Sequence, residues 1–501
     1  MSRNASNARS RLDGTGQTIA IAGTSDIDVG QSAASETGAN GNNDVFTFRT
    51  YFGLPTGNAA NTPIRISGNT QPLTVCTDTT GTVPYAANPC GIDDLTENSL
   101  DVEWSASVAK NAQIILVSSY PASVTDDNLY DSESYIVNHL TAPIMSVSYG
   151  ECELSNGTAG NVQYYDLWQA AAAEGISVFV ASGDSGSASC DDGYQRAASG
   201  LTVSGLASTP WNTAVGGTNF NWCDPDTANG SANTECVAAP YWSSSQFASQ
   251  GSTAAVTSAL GYVPEVPWNE SCANPITLKW VQDAANIIYG YTSSQISNTE
   301  QACNFLLDYD FYGSAIKGYG LLAKYPYITY LLETVGGSGG ASNCIVGTAV
   351  TDSNTGEISG CTASTGAGTT GQTNHPDTGA PQASLATFNN GWPKPSWQTG
   401  VSGIPSDGVR DLPDLSFFAS DGYTSSSAYL ICVSAAGSNA PCTYSKQHRA
   451  VLPGSGRNLG RDPRNGGRHG AHQSEEGCGA GLREPRALQA GGVAELRLLQ
   501  R

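Results

Sequence analysis

Histidine is nearly missing from most of this chain: of five in 501 residues, only His139 and His375 precede residue 446. An imidazole base or metal cage therefore has little to draw on. Lysine is scarce as well, and Lys and Arg together number 22 against 44 Asp and Glu, for a formal net charge of −22. That balance excludes nucleic acid and anionic membranes as partners, because both reward basic residues. No stretch approaches the ~18 uninterrupted apolar residues that a membrane helix needs. Met1 is followed by Ser-Arg-Asn-Ala rather than a basic and then apolar leader, so the chain as given carries no secretion signal.

What is abundant points outside the cell. The chain holds 57 Gly, many Ser, Thr and Asn, and 13 Cys, more thiols than a reducing cytosol usually tolerates. In order along the chain the cysteines fall into close neighbours: Cys76 and Cys90, Cys152 and Cys190, Cys223 and Cys236, Cys272 and Cys303, Cys344 and Cys361, Cys432 and Cys442, with Cys478 left over. Six local bridges suit this order, although spacing does not settle connectivity. No Cys-x-x-Cys pair occurs, which disfavours a zinc site. A hydrophobic content of 39% is that of a soluble globular protein with a large core, as one domain with insertions or as two. The acidic surface also suits work at low pH, where protonation relieves its self-repulsion.

The character of the text changes near residue 446. Residues 446–501 hold 10 of the 22 basic and 5 of the 44 acidic residues, a net +5, which leaves −27 on the first 445. This tail has no Phe, Tyr, Trp or Ile and cannot build a core. It reads either as a basic disordered tail or as frameshifted coding sequence.

Before the tail, strand and helix patterns alternate. Gln17–Gly23 reads as a strand, Leu95–Val108 as a helix with Leu100, Trp104 and Val108 on one face and Asp93 or Asp94 as its cap, and Gln113–Val117 as a buried strand. Pro143–Tyr149 reads as a strand, Val162–Ala173 as a helix and Ile176–Ala181 as a strand. The alternation predicts an α/β protein with a mostly parallel sheet flanked by helices. From about residue 264 to 395 the pattern breaks down into Gly, Ser and Thr, which predicts a long disulfide-pinned insertion.

Three acids stand out. Asp184, in Ser182-Gly-Asp-Ser-Gly186, directly follows a strand, where α/β sheets place ligands, although an ordinary turn explains the same residues. Glu97 and Asp101 are four apart on the predicted helix and share a face. Two carboxyls that close share a proton and supply a base that works in mild acid, whereas the plain alternative is a solvated acidic face.

Five motifs in order, Glu97-Asn-Ser-Leu-Asp101-Val-Glu-Trp, Ser146-Val-Ser-Tyr-Gly150, Ser182-Gly-Asp184-Ser-Gly, Ser208-Thr-Pro-Trp-Asn-Thr-Ala-Val-Gly-Gly-Thr218 and Arg410-Asp-Leu-Pro-Asp414, make the chain resemble the sedolisin, or kumamolisin-like, serine-carboxyl peptidases. The resemblance covers roughly residues 12–445 apart from the insertion, and implies a peptidase domain over 1–445 with a subtilisin-like fold. It further implies a secreted, monomeric acid endopeptidase acting on proteins or peptides, with Glu97 as general base, Asp101 orienting it and Asp184 as oxyanion donor. A Glu base has a pKa near 4.3 and still accepts a proton where His is already charged. A His-based subtilisin, with Asp26 or Asp28 as its acid, is the nearest competitor. Neither His139 nor His375 stands in a His-Gly-Thr setting.

The family's nucleophile lies in Gly-Thr-Ser-x-x-x-Pro, and no such string occurs here. Read one nucleotide later, codons for Arg457–Asn465 can spell Gly-Thr-Ser-Val-Ala-Thr-Pro-Ala-Met, with the serine codon spanning Leu459 and Gly460. This predicts a frameshift near Lys446, a nucleophilic serine expected near Leu459, and a chain nearly inert as translated. The calcium site implied by the resemblance lies after that serine, so its ligands are missing here. The family's pro-domain precedes its catalytic domain, and nothing before Arg11 is expected to supply it. A secreted non-catalytic peptide-binding or adhesive protein is the reading from another class.

Overall fold

The computed structural model describes residues 13–24, 27, 44–55, 64–67, 95–120, 127–191, 199–220, 262–312, 331–346, 348–351, 358–362, 391–420, 429 and 431–433. Its centre is an eight-stranded sheet built from β1 (Thr18–Gly23), β2 (Ile64–Ser67), β3 (Gln113–Tyr120), β4 (Ile144–Val147), β5 (Ser177–Ala181), β6 (Thr213–Phe220), β7 (Glu265–Pro267) and β12 (Leu415–Phe418). The order is β12-β6-β5-β4-β1-β3-β2, all parallel, and β7 alone runs antiparallel on β6. Short antiparallel pairs join β8 (Gly340–Ala341) to β11 (Asp411–Leu412), and β9 (Thr348–Thr351) to β10 (Ile358–Thr362). The protein is thus α/β with a mostly parallel sheet, as expected.

Strand alternation builds two cores. Ala20, Ala22, Met145, Val147, Val178 and Val180 point to one face, where α3 (Asn128–Asn138) and α4 (Glu153–Ala173) cover them with Ile136, Leu167 and fully buried Trp168. Ile19, Ile21, Ile114, Leu116, Ile144 and Phe179 point to the other, under α1 (Asp44–Phe52) and α2 (Leu95–Val108). Burial on both faces explains why these strands read as nearly continuous apolar runs. Asp127 caps α3 by accepting from the Tyr130 N–H at 3.0 Å.

Helix α4 begins nine residues before the expected Val162. Gly157, at φ 66° and ψ 175°, breaks it into two helical pieces, and the first is capped by Cys152, whose Sγ accepts from the Ser155 N–H at 3.3 Å. Cys152 is bonded to Cys190 and Cys272 to Cys303, both as paired from the sequence. Cys344 and Cys432 are disulfide-bonded too, and the other four pairings each involve a cysteine whose side chain is outside the described set.

The stretch read as an insertion is internally divided. Helices α5 (Pro275–Tyr289) and α6 (Thr299–Tyr312) pack on each other around Val281, Ala284, Ile296, Ala302 and Leu306, and Cys272–Cys303 ties them together. Other parts of it belong to the main body: Val266 pairs with Asn219 in the sheet, and residues 336–339 bond to the turn after β5. Among the described residues no helix is long and apolar enough to cross a membrane. The tail, 446–501, lies outside the described residues, as do Asp26, Asp28, Asp93, Asp94 and His375.

Candidate active site

Helix α2 runs against the strand direction. The segment that follows its last turn approaches the start of β1, where a Cβ on Gly14 would meet Ala112 at 2.8 Å, and its first turn reaches the end of β1, where a Cβ on Gly23 would meet Asn98 Oδ1 at 2.6 Å. The first two turns therefore stand at the carboxyl edge of the sheet. Glu97, Asn98, Ser99, Asp101 and Glu103 are all buried there, with Asp101 at 0% exposure. The solvated acidic face is ruled out, because neither carboxyl of the Glu97 and Asp101 pair reaches open water.

Loops leaving the neighbouring strands hold this helix end. Ser148, just past β4, donates its hydroxyl to Asp101 Oδ1 at 2.9 Å. The next residue, Tyr149, donates its hydroxyl to Asn98 Oδ1 at 3.2 Å and lies 3.0 Å from Thr24 Oγ1 beyond β1. Asp184 lies three residues beyond the end of β5, the strand beside β4, and is also buried. The three predicted acids thus share one edge of one parallel sheet, where open α/β sheets bind ligands.

His139 goes elsewhere. Ser132 in α3 donates to the Gly23 carbonyl at 2.8 Å, so this helix also starts at the carboxyl edge, and His139 caps its far end. There it stacks on Tyr135 at 3.9 Å between ring centroids, away from the acids. The Nδ1 atom lies 3.0 Å from the Tyr135 carbonyl.

Sequence reasoning did not single out Glu103, two residues past Asp101. Its Oε2 accepts from the Cys432 N–H at 3.0 Å. Burial, and then the negative charge of Asp44, push its carboxyl well above the ordinary 4.5. Ser148 and Asn98 were inside quoted motifs but carried no assigned role. Their polar residue types inside those motifs were the available signal. The Arg410-Asp-Leu-Pro-Asp414 motif resolves into a brace: buried Arg410 pairs with Asp414 through both Nη atoms, and Asp414 Oδ2 accepts from the Ala214 N–H at 2.8 Å. Among the described residues no group of three or more His, Cys, Asp or Glu could hold a metal ion.

No protein-family model matches the chain, and no curated protein matches it. Several solved structures do. Pseudomonas sedolisin, a serine-carboxyl proteinase complexed with two molecules of pseudo-iodotyrostatin, is 19% identical with a TM-score of 0.37, over 81% of this chain and 66% of its own. The chain thus spans just under two thirds of that protein's length. The epidermin leader peptide processing serine protease of Staphylococcus aureus is 14% identical, TM-score 0.26, over 43% of this chain and 50% of its own. The prenylagaramide maturation protease PagA is 12% identical, TM-score 0.23, over 43% and 59%. All three are proteases.

Proposed function

We propose that this chain is the catalytic domain of a sedolisin-type, subtilisin-like acid endopeptidase whose nucleophilic serine has been lost to a frameshift. The observation that carries the reading is the burial of Glu97 and Asp101 on one turn of α2, with Asp184 at the same sheet edge. In the complete site a serine hydroxyl attacks the peptide carbonyl while Glu97 takes its proton. Asp101, held by Ser148, orients Glu97. Asp184, in its protonated form, donates a hydrogen bond to the oxyanion that develops. All three roles call for mild acid, where a carboxyl can act as base in one place and donor in another. Secretion, a monomeric state and protein or peptide substrates belong to the same proposal. Calcium would be held by residues after the serine.

The test is a chain with its reading frame restored near Lys446. That chain cleaves denatured protein at about pH 3 to 5, and Glu97→Ala lowers turnover by at least ~10³-fold. A single uninterrupted frame through the locus and its transcript would sink the frameshift. The absence of a Gly-Thr-Ser-x-x-x-Pro string in the chain as translated favours a second reading, a non-catalytic peptide-binding protein. Peptide binding without any cleavage by the restored chain is the outcome that would establish it.

A further inference from the structure

The turn that carries Asp184 is tied to a distant segment of the chain. Gly183 takes φ +109°, in the region that favours glycine, and the turn hangs from a strap of chain at residues 336–339, some 150 positions later. The Ser182 hydroxyl donates to the Ser338 carbonyl at 2.7 Å, and the Ser338 N–H donates to the Gly183 carbonyl at 2.9 Å. The Ser185 N–H donates to Ser338 Oγ at 2.8 Å, and the Gly336 N–H donates to the Asp184 carbonyl at 2.6 Å. Residues on both sides of Asp184, and its own carbonyl, are thereby fixed by one strap.

Composition explains how the strap fits. A Cβ on Gly336 would meet the Trp268 carbonyl at 2.8 Å, on Gly337 the Gly217 carbonyl at 2.7 Å, and on Gly339 the Leu412 carbonyl at 2.7 Å. Backbone passes against backbone at three of four positions, and only Ser338 brings a side chain, 2% exposed. Its hydroxyl accepts from the buried Ser185 amide, a hydrogen bond whose loss is worth about a tenfold effect.

We propose that Ser338 is a positioning residue that aims the Asp184 carboxyl, so that the Gly-rich strap inside the apparent insertion is a working wall of the active site. The proposal rests on the reading of Asp184 as oxyanion donor. Oxyanion stabilisation acts in the transition state alone, so a misaimed Asp184 costs kcat and spares KM.

In the frame-restored chain Ser338→Ala lowers kcat about tenfold with KM within twofold, and the loss disappears when Asp184 is already alanine, because both changes remove one interaction. Ser182→Ala, which removes the hydroxyl bonded to the Ser338 carbonyl, shows the same pattern and stands in if Ser338→Ala does not fold. In the chain as it stands, Ser338→Ala speeds amide exchange at Ser185 and Gly336 at least tenfold and leaves the amides of β1 and β4 unchanged. Wild-type kcat in both serine variants beside a costly Asp184→Ala overturns the strap alone, as do losses that add in the double variant or unchanged amide exchange. An Asp184→Ala variant with full kcat overturns the oxyanion assignment itself.

Discussion

Asp101 is held from two directions: its own helix fixes its backbone, and Ser148 Oγ occupies Oδ1 at 2.9 Å. A buried hydrogen bond typically contributes about 0.5 to 1.5 kcal/mol. Part of that is expected to appear as alignment of Glu97 rather than as stability. Ser148→Ala in the frame-restored chain should therefore lower kcat about three- to tenfold, with KM unchanged and the acid limb of the rate profile displaced. A variant that loses stability but keeps both kcat and the profile would reduce Ser148 to a packing residue. Asn98 shows the same economy of space. It fills the gap left by the missing Cβ of Gly23 and accepts from Tyr149, so helix, strand end and loop meet in one contact.

At the scale of elements, the two helices of the insertion are the part most dependent on their cross-link. Cys272 and Cys303 are 31 residues apart, and opening such a loop in the unfolded chain is worth about 3 to 4 kcal/mol. The paired substitution Cys272→Ala with Cys303→Ala should loosen α5 and α6, seen as faster proteolysis within 275–312 while the sheet keeps its protection. Equal loss of protection in sheet and helix pair would show that the insertion and the core unfold as one unit. The sheet itself was legible: Gln17–Gly23 and Ile176–Ala181 correspond to β1 and β5 within one residue, because strands buried on both faces carry unbroken apolar text. Helix α2 was placed at its observed bounds, yet the face assigned to it was incomplete. Leu100 packs on Phe418, whereas Val102 and Ala106 face the sheet. Periodicity misled because Glu97, Ser99, Asp101 and Glu103 are buried as well, so polar residues did not mark the outside. The acids were found through their order along the chain. Ser338 was hidden, since nothing local distinguishes one serine in a Gly-rich stretch from a surface loop.

Across the whole molecule, buried acids set the response to pH. Burial raises the carboxyls of Glu103, Glu133 and Glu153, most strongly for the first two. Glu133 lies in the α3 and α4 layer beside the Tyr164 hydroxyl, and the negative charge of Asp127 adds to its rise. A carboxyl whose folded pKa exceeds its unfolded value contributes stability that is complete below about 4.5 and is lost as pH rises through the folded value. Asp13 works in the opposite sense, lowered by the hydrogen bond from Thr15, but it is too exposed to offset the buried three. The fold should therefore be most stable in acid. Urea midpoints from about pH 4 to 8 should fall with rising pH, and Glu133→Gln, which keeps the shape and stays neutral, should flatten the slope by about 1.4 kcal/mol per pH unit above 4.5. A slope unchanged by that substitution would remove Glu133 from the account.

The strap has a further consequence in time. Ser182 and Ser338 are 156 positions apart, and the Asp414 brace reaches 200 positions back to Ala214. Contacts of such high sequence separation close late and make folding slow. On the ribosome, the strands β1 to β5 can pair while Asp184 still lacks its support, so the acids are assembled well before they are aimed. On the proposal above, the Asp184 turn therefore reaches its final geometry only once residues 336–339 have been made, long after the helix that carries Glu97 and Asp101.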